Sequence, residues 1–262
     1  MDNSYIVAAD LYDWIVDYRT RPDVPFFVEL AKASQGPVLE LGCGTGRVLV
    51  PVARAGIKIV GVDLARPMLD ICGQKLQHES SEVRARVQLH EADMRHIDFS
   101  QKFALVMIPF RPFQHLVEVE DQLACLDVVR RHLRDDGRLV LDVFNPSLPI
   151  LTSDNLETEW DEGPDFELPD GRRVVRKVKH VGRDFIKQVL SIELIYYVSD
   201  ADGRAERLVH AFQMRYFFRY EMEHLLVRAG FEVESLYGDY QWHPFDATHS
   251  SELVYVVRKT SR

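Results

Sequence analysis

The segment Val38-Leu39-Glu40-Leu41-Gly42-Cys43-Gly44-Thr45-Gly46-Arg47 constrains this chain most, because a short apolar strand there runs straight into three alternating glycines. A strand that ends in such a turn and gives way to amphipathic sequence opens a βα unit. Without side chains at Gly42, Gly44 and Gly46 a ligand can approach the backbone closely, and N–H groups at the start of the next helix attract a carboxylate or phosphate. The spacing discriminates among ligands. A dinucleotide fingerprint, G-x-G-x-x-G, needs its third glycine where Arg47 stands, which disfavours a nicotinamide coenzyme. No Gly-Lys-Ser/Thr follows, so a phosphate-binding P-loop is also disfavoured.

From Pro37 to about Phe144 short apolar runs alternate with amphipathic stretches, the pattern of βαβ units around a parallel sheet. Strands are expected at 38–41, 57–62, 86–89, 103–108 and 138–144, and helices at 47–55, 66–77 and 118–133. The last of these rests on Leu123, Leu126, Val129 and Leu133 at helical spacing, closed by Asp136-Gly137. In the first, Pro51 is tolerable only near the helix start. After Asn145-Pro146 the period changes. Residues 172–181, 185–198 and 204–215 read as long alternating strands with turns at Gly182-Arg183-Asp184 and Asp200-Ala201-Asp202-Gly203. A helix at 221–229, stopped by Gly230, and strands at 231–237 and 253–258 complete the chain. The expected organisation is one domain, 1–262: a helical cap over 1–36, a ligand-binding core over 37–150, an antiparallel insertion over 151–215 and a completion of the core over 216–262.

Composition narrows the function. With 262 residues and 46% hydrophobic content the chain can bury the core of one α/β domain and a modest insertion. A formal net charge of -9, with no basic tail, repels a phosphate backbone, so nucleic acid is not the expected partner. Met1-Asp2-Asn3 opens no signal peptide, and no apolar run approaches the roughly 20 residues of a membrane span, so a cytoplasmic protein without a membrane partner is expected. Cys43, Cys72 and Cys125 are widely spaced and read as buried reduced thiols.

Two further features stand at the ends of successive strands. Gly61-Val62-Asp63 closes the second with a carboxylate that either accepts both hydroxyls of a ribose or caps the helix after it. Glu91-Ala92-Asp93-Met94 follows the third, offering an acceptor for an exocyclic amine beside a flexible apolar side chain, or a simple turn. The ends of successive strands in a parallel sheet line one crevice. Together VLELGCGTGR, VGVDLARPML and EADM resemble the class I S-adenosylmethionine-dependent methyltransferases.

The resemblance implies an α/β fold, a doubly wound, seven-stranded, mostly parallel Rossmann-like sheet with an antiparallel β insertion. It implies S-adenosylmethionine as methyl donor, leaving as S-adenosylhomocysteine. By similarity Gly42, Cys43, Gly44 and Gly46 wrap the methionine portion, Glu40 supports that loop, and Asp63 holds the ribose. Leu64 and Met68 cover an adenine face or belong to the helix–sheet core, Asp93 and Met94 meet the adenine amine and edge, and Ile108 completes the cofactor set. Arg47 either reaches the methionine carboxylate or is solvated. The stretch Ala8-Ala9-Asp10-Leu11-Tyr12-Asp13-Trp14 with Tyr18 resembles the aromatic entry helix of the small-molecule N-methyltransferases acting on glycine or amino sugars. In that group the segment folds over the cofactor, which makes Tyr12 and Tyr18 candidates for the sulfonium end, or parts of an apolar cap. The 151–215 insertion is placed as in that group, as an acceptor lid, a homodimer surface, or both.

Methyl transfer from a sulfonium is an in-line displacement, so positioning supplies much of the acceleration and the protein needs little acid–base machinery beyond a base for the acceptor. His115, in the segment where the family binds its acceptor, is the candidate base, the alternative being a structural histidine. The segment Ile108-Pro109-Phe110 departs from the Asp/Asn-Pro-Pro-aromatic motif of nucleic-acid amino-methyltransferases, and Pro109 stands where catechol-type enzymes carry a metal-binding aspartate. No metal is therefore expected; Asp142 with Asn145, and His243, Asp246 and His249, are the residual metal candidates. Arg172, Arg173, Arg176, Lys177, Lys179 and Arg183 make the insertion locally basic, for a solvated face or an anionic acceptor. Tyr237, Tyr240, Trp242 and Phe245 either wall the acceptor site or pack a loop. The expected activity is methylation of a nitrogen or oxygen of a small molecule; the alternatives are a cofactor-binding module without transfer and a nicotinamide-dependent oxidoreductase.

Overall fold

A computed structural model describes residues 9–153 and 156–260; Met1, Asp2, Asn3 and Ala8 lie outside the described residues. Contacts divide the chain into two units, one formed by Pro22–Pro146 with Tyr216–Arg262, the other by Met1–Arg21 with Ser147–Arg215.

The first unit is built on seven strands: β1 (Val38–Leu41), β2 (Ile59–Asp63), β3 (Val87–Glu91), β4 (Phe103–Ile108), β5 (Leu133–Phe144) and, late in the chain, Phe231–Tyr237 and Glu252–Lys259. All of β1 and β4 is buried, as a central parallel strand covered on both faces must be. The spatial order, with the two late strands on one side, runs from Phe231–Tyr237 through Glu252–Lys259 to β5, β4, β1, β2 and β3. Glu252–Lys259 runs opposite to the other six strands of this sheet. The chain leaves β1 toward β2 on one side and returns to β4 on the other, so the strand order reverses at β1. Ligands of open α/β sheets bind outside the carboxyl ends of the strands at that reversal.

Helix Arg66–Gln77 lies where the spacing predicts it, and Val119–His132 ends short of the expected close, because Leu133, Asp136 and Gly137 already belong to β5. The expected 47–55 helix is shorter, Leu49–Arg54, because residues 46–48 still belong to the glycine turn. Gly46 explains part of that. Its φ is +79°, and a Cβ there would lie 2.5 Å from Cys72 Sγ, so the turn must complete before a helix with side chains can begin. The late helix, Arg219–Arg228, ends at Gly230 as expected.

The second unit carries β6 (Glu159–Asp161), β7 (Phe166–Glu167), β8 (Arg173–Asp184), β9 (Val189–Ser199) and β10 (Ala205–Arg215), all paired antiparallel. The β8–β9 turn is not at 182–184. A register shift between His180 and Gly182 lets β8 run on to Asp184, whose Oδ1 accepts the N–H groups of Ile186 and Lys187, both at 2.9 Å, and so seats the turn at 185–188. The basic residues of β8 face acidic neighbours: Arg173 with Asp165, Arg176 with Asp17, Lys177 with Asp161, and Lys179 with Glu157 and Glu193. Arg172 pairs with Asp170 and Arg183 donates to the Leu151 carbonyl. The strand's positive charge is thereby neutralised locally.

Candidate functional site

The glycine loop is tied to β2. The N–H groups of Gly42 and Cys43 both donate to the Val62 carbonyl at 2.8 and 3.0 Å, that of Gly46 to the Cys43 carbonyl at 2.9 Å, and that of Gly44 to Asp63 Oδ2 at 2.7 Å. These four N–H groups are therefore spent inside the protein rather than offered to an anion. Gly42, with φ +74°, lies under Pro112: a Cβ there would sit 2.6 Å from the proline ring.

Asp63 accepts from Gly44 with one oxygen and from Ala65 N–H with the other, at 2.8 Å, so each oxygen keeps acceptor capacity. Burial raises its pKa, and the N–H groups of Ala65, Gly44 and Leu64 pull it back. The helix after β2 is capped by Ala65, not by Asp63. Glu40, at the middle of β1, is 2% exposed, and its Oε2 is buried with no hydrogen-bond partner. Burial holds its pKa well above the ordinary glutamate value, against the pull of Arg47 and with the push of Asp23 and Asp63. A buried carboxylate oxygen without a donor costs free energy unless a cation or donor arrives. Beside a glycine loop, that arrangement fits the ammonium of a methionine portion.

Arg47 is neither solvated nor aimed at a ligand alone. Its guanidinium grips Asp23 through two bonds of 2.6 Å and lies 4.9 Å from the Phe110 ring centroid. Asp93 is held at both oxygens by Arg95, which also pairs with Asp121 at 2.7 Å. That guanidinium lowers the Asp93 pKa. Leu64 is 55% exposed, whereas Met68 is buried, its Cε 3.4 Å from where a Cβ on Gly44 would stand. Met94 is half-buried, with its Cε 3.8 Å from the corresponding point on Gly42. Cys43 is buried and kept a thiol by desolvation and by Glu40 and Asp63. Ile108 ends β4 fully buried, and His115 is half-buried on the Pro112–His115 turn.

Tyr12 and Tyr18 belong to the second unit. Their rings are 4.9 Å apart, and the cation over Tyr18 is Arg176, at 5.1 Å. Asp142 is fully buried: Oδ1 accepts Phe110 N–H at 2.7 Å and Oδ2 the Tyr240 hydroxyl at 3.0 Å. Asn145 donates to the Ser250 carbonyl. His243 pairs with Asp239 and His249 with Asp246. Among the described residues no three His, Cys, Asp or Glu side chains are grouped to hold a metal. Sequence reasoning missed Asp23, Arg95 and the framework role of Asp142. Only the prolines flanking Phe110 and Arg111 hinted that the chain turns sharply there.

A reversal point flanked by a glycine loop, a ribose-competent carboxylate and an orphaned acidic oxygen is the arrangement of a class I methyltransferase fold. Residues 38–137 match the family described as methyltransferase domain. The cypemycin N-terminal methyltransferase of Streptomyces is 28% identical over 85% of this chain and 83% of its own length. The dTDP-3-amino-3,6-dideoxy-alpha-D-glucopyranose N,N-dimethyltransferase of Streptomyces fradiae is 25% identical over 88% and 86%. Among solved structures, the CcbJ methyltransferase from Streptomyces caelestis superposes with a TM-score of 0.76 at 27% identity, covering 97% of this chain and 96% of that one. Residues 38–137 are thus a methyltransferase domain, and the similarity to named methyltransferases runs over more than four fifths of the chain.

Glu40 yields a test of the site's electrostatics. A carboxyl whose folded pKa is raised holds its proton more tightly in the native chain, so its contribution to stability falls as pH rises from the ordinary glutamate range through the raised value. Glu40→Gln is therefore expected to melt higher than the parent at neutral pH without ligand, and close to it in acid. S-adenosylhomocysteine should raise the parent's melting temperature more than the variant's. Equal gains would show that Glu40 does not meet the ligand's ammonium.

Proposed function

We propose that this enzyme methylates an amine nitrogen of a small molecule in the cytoplasm. The supporting observation is the similarity, over 85% and 88% of this chain, to enzymes named as an N-terminal methyltransferase and as an amino-sugar N,N-dimethyltransferase. A net charge of -9 argues against a nucleic-acid acceptor. S-adenosylmethionine, when bound, supplies an electrophilic methyl on a sulfonium. Gly42, Cys43, Gly44 and Gly46 surround its methionine portion, Glu40 takes the ammonium and Asp63 the ribose hydroxyls. Leu64, Met68, Asp93, Met94 and Ile108 line the adenine, with Arg95 yielding part of Asp93 to the exocyclic amine. An amine reacts only as its free base, and His115 removes that proton. Neutral nitrogen then needs no further activation, whereas an alcohol would demand a stronger base.

Residues 151–215 act as an insertion that sets acceptor choice together with Tyr12 and Tyr18, and that pairs two copies of the chain. Support for pairing comes from β10, which bonds to β9 along one side and ends the sheet. Light scattering on the full chain checks it: a monomer at every concentration removes the dimer. No helix among the described residues is long and apolar enough to cross a membrane. The acceptor class is tested by incubating the enzyme with methyl-labelled S-adenosylmethionine and panels of amines, alcohols, RNA and protein. Label in a small amine is expected. Label only in alcohols or macromolecules would overturn the reading.

A further inference from the structure

Phe110 and Arg111, directly after β4, both adopt left-handed backbone, with φ +67° and +73°. Two successive residues with side chains hold that conformation only where their surroundings enforce it. Here the enforcement has named parts. Asp142, from the end of β5, accepts the Phe110 N–H at 2.7 Å. Arg111 pairs with the buried Glu252 at 2.6 Å and lies over the Phe144 ring at 5.5 Å. Gln114, fully buried, accepts the Phe144 N–H at 3.0 Å.

These contacts close on themselves. From Asp142 one direction leads through Phe110 to the guanidinium of Arg47, the residue that ends the glycine loop, and on to the buried Asp23. The other leads through the Tyr240 hydroxyl to that residue's ring, which meets Phe26 at 5.8 Å and Phe27 at 6.3 Å. Asp23, Phe26 and Phe27 stand on one helix, Asp23–Ala33. The ring thus joins the glycine loop, the His115 turn and the 238–251 loop through Asp142, Asp23, Tyr240, Phe26 and Phe27, all buried, and Phe110 and Arg47, both half-buried.

We propose that Asp142 is a positioning residue: as the junction of this ring it fixes the 109–116 segment, and with it His115, against the cofactor loop. The proposal rests on the methyltransferase reading and adds a residue outside the cofactor contacts. Asp142 touches neither donor nor acceptor; it acts through Phe110 and Tyr240. Its oxygens accept from both, so asparagine retains the Phe110 bond through Oδ1 and lets the tyrosine oxygen accept from Nδ2. Alanine retains neither. Losing both of these hydrogen bonds opens the segment by about tenfold or more.

The test is hydrogen–deuterium exchange on the full chain, with and without S-adenosylhomocysteine, in the parent, Asp142→Ala, Asp142→Asn and Tyr240→Phe. Residues 109–116 should exchange about tenfold faster in Asp142→Ala, close to the parent rate in Asp142→Asn and in between in Tyr240→Phe. Saturating ligand should protect 42–47 in all four, and 109–116 only in the parent and the asparagine variant. Protection at 42–47 with parent-like behaviour of 109–116 in Asp142→Ala overturns the positioning role alone. No protection at 42–47 in the parent brings down the cofactor reading and this inference together. Should Asp142→Ala fail to fold, Tyr240→Phe against Asp142→Asn decides, and equal exchange in those two overturns the proposal.

Discussion

Turnover in His115→Ala is expected to fall by about 10²–10⁴-fold, the range a positioned general base contributes, while affinity for S-adenosylhomocysteine stays within error of the parent. The split follows from placement. His115 ends the Pro112–His115 turn on the segment after β4, whereas the glycine loop and Asp63 follow β1 and end β2. The deficit should shrink as pH rises, because an amine acceptor increasingly arrives without its proton and a base is then redundant. Rate measurements across pH with the acceptor found by the labelling panel check this. A variant that turns over like the parent at every pH removes His115 from the chemistry and leaves it a structural histidine.

Asp63→Ala is expected to weaken S-adenosylhomocysteine binding by roughly 1.5–3 kcal/mol, the scale for removing a charged hydrogen-bond partner. Two losses combine there. The carboxylate receives the ribose hydroxyls in the proposed reading, and it already holds the N–H groups of Gly44 and Ala65, so its removal also frees the glycine loop. Asp63→Asn separates them, since the amide oxygen can keep one backbone bond while the charge is gone. Calorimetry on both variants should rank parent, asparagine and alanine in falling affinity. Full affinity in Asp63→Ala would contradict the ribose assignment.

The elements most legible in the sequence are those where local pattern and tertiary need coincide. β1 and β4 are read as buried strands because a central parallel strand must be apolar on both faces, and they are buried throughout. The helix after β2 begins and ends as the spacing predicts. The turn expected at Gly182-Arg183-Asp184 stands instead at 185–188, for the converse reason. Glycine and aspartate both favour turns, but a register shift absorbs the glycine within β8 and leaves the turn to Asp184. Asp93 shows a limit of another kind. A carboxylate after a strand reads the same whether it awaits a ligand or, as here, is held by Arg95 two residues on.

The amino-acid sequence determined the sheet, the glycine loop, the carboxylate within β1 and the one that ends β2, because each is set by neighbours a few residues away through strand pattern, turn geometry and spacing. Only the tertiary structure decided that Arg47 grips Asp23, that Asp142 joins Phe110 to Tyr240 and that Arg176 covers Tyr18. The hydrogen-bonded partners lie 24, 32 and 98 residues apart along the chain, and Asp17, which pairs with Arg176 beside Tyr18, lies 159 from it; a buried charge takes whichever partner the fold brings within reach.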